Sequence, residues 1–97
     1  MLTGKQKRFL RSKAHHINPI FQVGKGGVNE NMIKQIGEAL EARELIKVSV
    51  LQNCEEDRDT VAESLREGTG AEIVQIIGNT IVLYKESIEN KQIELPR

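Results

Sequence analysis

A chain of 97 residues with 38% apolar content can bury one modest core but falls short of two independent ones, so a single domain over residues 1–97 is expected. Lys plus Arg and Asp plus Glu each number 14, a formal net charge of +0, which excludes a histone-like tail and an acidic disordered chain. One cysteine, Cys54, allows no internal disulfide and no multi-cysteine zinc site, and no apolar run approaches the ~20 residues of a membrane helix, so a cytoplasmic protein without a membrane partner is expected.

The neutral total hides a gradient: residues 1–48 carry +5, residues 49–97 carry −5, and no carboxylate precedes Glu30. Thr3 followed by Gln6 has capping-box spacing, and Phe9, Leu10 and Ala14 recur among Lys5, Lys7, Arg8, Arg11 and Lys13. This predicts a basic helix over residues 3–15, closed by Asn18-Pro19 because proline lacks a donor and biases its predecessor away from helix. Ile20 to Val23 reads as a short strand, and Gly24-Lys25-Gly26-Gly27 as a turn. Asn29 can cap a second helix through about Arg43, with Met32, Ile33, Ile36, Ala39 and Leu40 at helical spacing. Gly37 within it implies close packing or tolerated weakness. The alternation of Ile46, Val48 and Val50 with Lys47 and Ser49 predicts a strand with one polar face. Asn53 and Glu56 form a second capping-box pattern ahead of Val61, Ala62 and Leu65, a helix ending near Gly68-Thr69-Gly70. Residues 72–77 and 80–85 read as a hairpin about Gly78-Asn79. After Glu86 the period is lost, though Ile93 and Leu95 can still cover an apolar edge.

The order α-β-α-β-α-β-β implies a layered α/β fold, with the helices packed against one side of a small sheet. The strand-helix-strand crossover from residue 20 to residue 51 makes the first pair parallel if the two strands are neighbours, and the closing hairpin adds an antiparallel pair.

Catalytic material is sparse. His15 and His16 are adjacent and cannot face one site from a helix, and Cys54 has no recognisable base beside it, so no enzyme and no cofactor are expected. The run Glu55, Glu56, Asp57 and Asp59 lacks calcium-loop spacing and suits the positive end of the third helix better than a metal. The glycine turn is more informative. Its successive amides lead into a helix N-terminus, a geometry suited to phosphate oxygens, and Lys25 adds a charge at the tip, yet it is too short for a P-loop. Lys34 lies farther along the second helix. Phe9, Phe21 and Tyr84 are the only aromatic residues, too few for a base-stacking sheet, so shape and backbone contact are expected to dominate. Phe9 and Phe21 suit the core, whereas Tyr84 could pack its ring and expose its hydroxyl.

The ordered segments Leu2-Thr3-Gly4-Lys5-Gln6-Lys7-Arg8 with Leu10 and Ala14-His15, then Pro19, Val23-Gly24-Lys25-Gly26-Gly27-Val28, Leu45-Ile46-Lys47-Val48, Ile77-Gly78-Asn79-Thr80-Ile81-Val82-Leu83-Tyr84-Lys85 and the closing Leu95-Pro96-Arg97 resemble the CRM domain family. The likeness is to its small bacterial single-domain members of the YhbY type, and it spans essentially the whole chain. The resemblance implies a KH-like fold, also similar to the C-terminal domain of bacterial translation initiation factor 3, with a four-stranded mixed sheet and three helices. It implies an RNA-binding protein that associates with precursors of the large ribosomal subunit. No bond is expected to be broken, and ribosomal proteins are further candidate partners. Its G-x-x-G loop falls on Gly24, Lys25, Gly26 and Gly27, and the proposed contact extends over Lys5, Lys7, Arg8, Arg11, Lys13 and Lys34. Lys85 stands where arginine is common in the family, which keeps the charge but not the bidentate fork. The alternative is a protein adaptor on ribosomal particles without direct RNA recognition. A monomer is expected.

Overall fold

The computed structural model describes residues 1–97. Its elements are α1 (Gly4–Ala14), β1 (Phe21–Val23), α2 (Glu30–Arg43), β2 (Leu45–Val50), α3 (Arg58–Thr69), β3 (Glu72–Ile77) and β4 (Thr80–Tyr84), in the predicted order. The first capping box is complete. Thr3 Oγ1 accepts from the Gln6 amide at 3.1 Å and Gln6 Oε1 accepts from the Thr3 amide at 3.0 Å. Asn29 Oδ1 caps α2 by accepting from the Met32 amide at 2.8 Å.

Helix α3 starts later than the Asn53 and Glu56 pattern predicts. Asp57 is its N-cap, accepting from the Thr60 amide at 2.8 Å, and this hydrogen bond holds the Asp57 carboxyl below its ordinary range. Asn53 and Cys54 belong instead to a turn in which the Cys54 amide donates to the Leu51 carbonyl at 3.0 Å. In so polar a segment several residues match the capping pattern, and the cap adjoining the helical run is the one made.

The four strands form one mixed sheet in the order β1-β2-β4-β3. β1 pairs parallel with β2, matching Phe21 to Val48 and Val23 to Val50. β4 pairs antiparallel with both β2 and β3, with a register shift between Ile73 and Gln75. The helices do not share one side. α2 and α3 bury Ile36, Leu40, Val61 and Leu65 against Val23, Ile46, Val48, Ile81 and Leu83. On the opposite face α1 buries Leu10 and Ala14 against Leu45, Val74, Val82 and Tyr84. The physical reason lies in β4: Ile81, Val82, Leu83 and Tyr84 are all buried, so both of its faces require cover.

A Cβ on Gly37 would meet nothing within 4 Å, so that glycine is tolerated weakness rather than close packing. The close approach of the two helices is at Gly68, where a Cβ would lie 2.5 Å from Ile33 Cδ1 and 3.0 Å from both Cγ atoms. Because three atoms of one side chain would have to move together, Gly68→Ala is expected to destabilise the protein by about 1–3 kcal/mol. Urea unfolding of the variant, with an unchanged m-value, checks this.

The chain after β4 is irregular but tied down. Glu44, fully buried, caps the C-terminus of α2 with φ 66°. Its carboxylate accepts from the amides of Ser87 at 2.8 Å and Ile93 at 2.7 Å, and from that of Gln92. Glu41 accepts from the Ile88 and Glu89 amides, both at 3.0 Å, and from the Ser87 hydroxyl. Two glutamates thus clasp the segment that carries Ile93 and Leu95 into the α1 core, and Gln6 Nε2 donates to the Pro96 carbonyl at 3.1 Å.

Candidate nucleic-acid interface

The glycine bend is a tight turn at the end of β1, closed by the Gly27 amide donating to the Gly24 carbonyl at 3.0 Å. Gly27 has φ 67°, a left-handed conformation that favours glycine. Gly26 is different: its φ is ordinary and a Cβ there would meet nothing within 4 Å. Nothing inside the fold requires glycine at that position, and the bare backbone there is open to close approach from outside. Lys25, between them, is exposed. One side of the turn is acidic, since a Cβ on Gly27 would lie 2.9 Å from a carboxylate oxygen of Glu56. An anion therefore meets less repulsion on the side away from Glu56 and α3.

The five cations of α1 do not make one face. At 100° per residue, Lys7 and Arg11 lie together on one flank of the buried Leu10 and Ala14 stripe, one turn apart. Lys5 and Arg8 point outward and are exposed. Lys13 lies on the other flank, with its ammonium 5.3 Å from the centroid of the Phe9 ring, and it lines a cavity with His16, Arg43, Leu45 and Gln92 beside the C-terminal segment. Since Lys13 marks the flank beside the start of β2, Lys7 and Arg11 border the part of the sheet that α1 leaves uncovered. Lys34 is exposed on α2, in the layer on the opposite side of the sheet.

The glycine turn lies at the end of the sheet where β1 and β2 finish. There the Leu51 amide donates to the Val23 carbonyl at 2.9 Å, and the Val50 amide to Asn79 in the hairpin turn at 2.7 Å. Between that end and α1 runs an uncovered strip of the α1 face. Gln22, Ser49, Thr80 and Ile77 pair in register straight across all four strands, two residues before Gly24 in the chain. The strip lies between the glycine turn and Leu45, Val82 and Tyr84, the residues α1 covers, and neither Gln22 nor Thr80 is marked by any pattern in the sequence. Only the alternation of Lys47 and Ser49 with buried neighbours signals the strip.

Two other candidates have structural work. The Lys85 ammonium donates to the Thr69 carbonyl at 2.8 Å, at the C-terminal end of α3. Tyr84 is 5% exposed, and burial, with Glu44 and Glu86 nearby, pushes its phenol above the ordinary range, so it stays neutral. On α3 the solvent side is acidic, with Glu63 paired to Arg66. The structure gathers no three His, Cys, Asp or Glu side chains at metal-ligand spacing.

The CRS1 / YhbY (CRM) domain model matches residues 2–85. The chain is 82% identical over 96 residues to YqeI of Bacillus subtilis, named as a probable RNA-binding protein, covering 99% of this chain and 100% of that one. It is 42% identical over 96 residues to an RNA-binding protein of Haemophilus influenzae, covering 99% and 96% of the two chains. The solution structure of a Staphylococcus aureus protein, 68% identical, superposes with a TM-score of 0.81 over 99% of this chain and 100% of that one.

Proposed function

Because the chain belongs to the CRS1/YhbY (CRM) domain family, whose members are non-catalytic RNA-binding modules, we propose that it binds RNA on the α1 side of its sheet. The observation that carries this reading is the uncovered polar strip on the α1 face, which ends beside the open Gly26 backbone and exposed Lys25 and has the acidic α3 in the layer behind the sheet; Lys7 and Arg11 on α1 complete the surface in this reading. Phosphates sit against the cations and against the turn amides of Lys25 and Gly26. Lys5, Arg8 and Lys13 extend the contact around α1, while Lys34 reaches only RNA that wraps past the end of the sheet.

The target class follows from the family resemblance: ribosomal RNA in cytoplasmic precursors of the large subunit, which the protein stabilises or guards during assembly. The mechanism is electrostatic and positional, so affinity falls as salt rises and counterions are released. Crosslinking in cells followed by sequencing of the bound RNA tests the target. Reads clustered in one region of large-subunit RNA support the assignment. Association that survives nuclease and is lost only when protein contacts are disrupted supports an adaptor instead.

A further inference from the structure

The middle of this surface differs chemically from its margins. Gln22, Ser49 and Thr80 offer neutral donors and acceptors, and the adjoining row adds Gln75 and a single charge, Lys47. Gln22 is exposed, and Ser49, Thr80, Lys47 and Gln75 are half-buried. No buried side-chain polar atom of the fold is left unpaired, and the full or partial exposure of these four neutral residues leaves their polar groups available to a ligand. Ile77 ends the row with 59% of its surface exposed. Apart from Lys47, the charges of this surface lie at its edges, with Lys7 and Arg11 on the α1 side and Lys25 at the end.

We propose that this row seats the bases of an unpaired RNA segment while its phosphates follow the charged margins. The inference rests on the RNA-binding reading above and adds the form of the ligand. Neutral amides and hydroxyls match base edges, which have donors and acceptors but no net charge, whereas phosphates call for the cations at the rim. A duplex turns its base edges inward or displays them in a groove that a flat sheet does not enter, so only unpaired bases reach the row. Four strands at the usual spacing span about 14 Å, comparable with the two or three bases that other sheet-based RNA modules hold. With no aromatic residue on the row, its selectivity comes from hydrogen bonds and from apolar contact at Ile77.

The test uses the full chain and two fluorescent probes, a mixed-sequence 12-nucleotide single-stranded RNA and the blunt duplex of the same sequence, at fixed salt. Single-strand affinity should exceed duplex affinity by about tenfold or more, and the Gln22→Ala, Thr80→Ala double variant should lose about tenfold for the single strand only. Its salt dependence should stay that of the wild type, because no phosphate contact is removed. Should the double variant misfold, Gln22→Glu places a carboxylate at an exposed position and should weaken single-strand binding by at least as much. Wild-type binding with equal affinity for both probes, or single-strand binding untouched by these substitutions, overturns the seat while leaving RNA binding intact. Failure of the wild type to bind either probe overturns the RNA-binding reading and the seat with it.

Discussion

Replacing Glu44 with alanine is expected to remove about 3 kcal/mol of stability and to lower the thermal midpoint by more than about 12 °C. The carboxylate is fully buried and accepts three backbone N–H groups from the C-terminal segment. Deleting it orphans all three donors, each worth about 1–3 kcal/mol if it stays buried, and release of the segment into water limits the total. Burial pushes the Glu44 carboxyl up, but the amides of Ser87, Gln92 and Ile93 outweigh it and hold the group below its ordinary value; amide donors from Ile88 and Glu89 do the same for Glu41. The sign follows from linkage. A carboxyl whose folded pKa is depressed contributes its full stabilisation above the unfolded value, and loses it as pH falls through the lowered folded value. Urea unfolding from pH 7 into the acid range should therefore show the gap between wild type and Glu44→Ala narrowing with acid. Glu44→Gly should fall between the two, because it also loses the clasp but relieves a side chain held at φ 66°. Since the clasped segment carries Ile93 and Leu95 under α1, Glu44→Ala should weaken RNA binding as well.

The second large effect concerns binding alone. Lys7, Arg11 and Lys25 changed together to alanine should lower RNA affinity by about 100-fold at moderate salt and reduce the log–log salt slope by about 2, as expected for three lost phosphate contacts on a single strand. Lys7 and Lys25 are exposed and Arg11 half-buried, so the thermal midpoint should change little. Arg66→Ala, on the acidic α3 where Arg66 is paired with Glu63, alters the net charge without touching the surface and should bind as the wild type does. Fluorescence anisotropy over a salt series reads both affinity and slope.

The element order was legible because each helix carries an apolar stripe at helical spacing and the caps of α1 and α2 a short polar side chain at the right offset, whereas the polar run before α3 offered Asn53 as well as Asp57, the cap that forms. Thr3 with Gln6, Asn29 and the Gly78-Asn79 turn all formed as their chemistry dictates. The layering was harder to read. In β2 the polar Lys47 and Ser49 suggested a solvated face, whereas the need for cover on both faces is written in β4, where Ile81 to Tyr84 is apolar without a break. The glycine turn was visible, and so were the cations. Their division among three directions was not, because it depends on which side of α1 the sheet occupies. Glu44 read as the start of a strand; its role as a buried clasp depends on a tail without periodicity, partnered through backbone amides that no side-chain pattern marks. The strip of Gln22, Ser49, Thr80 and Ile77 exists only once four strands are in register, since the residues come from separate segments of the chain.

The most direct test of the central claim is ultraviolet crosslinking of the intact protein to single-stranded RNA, with the modified residues located by mass spectrometry. Adducts should concentrate on residues 5–11, 22–27 and 47–49, the margins and middle of one surface. Adducts on α3 or on the exposed side of α2, with that surface unmodified, would contradict it.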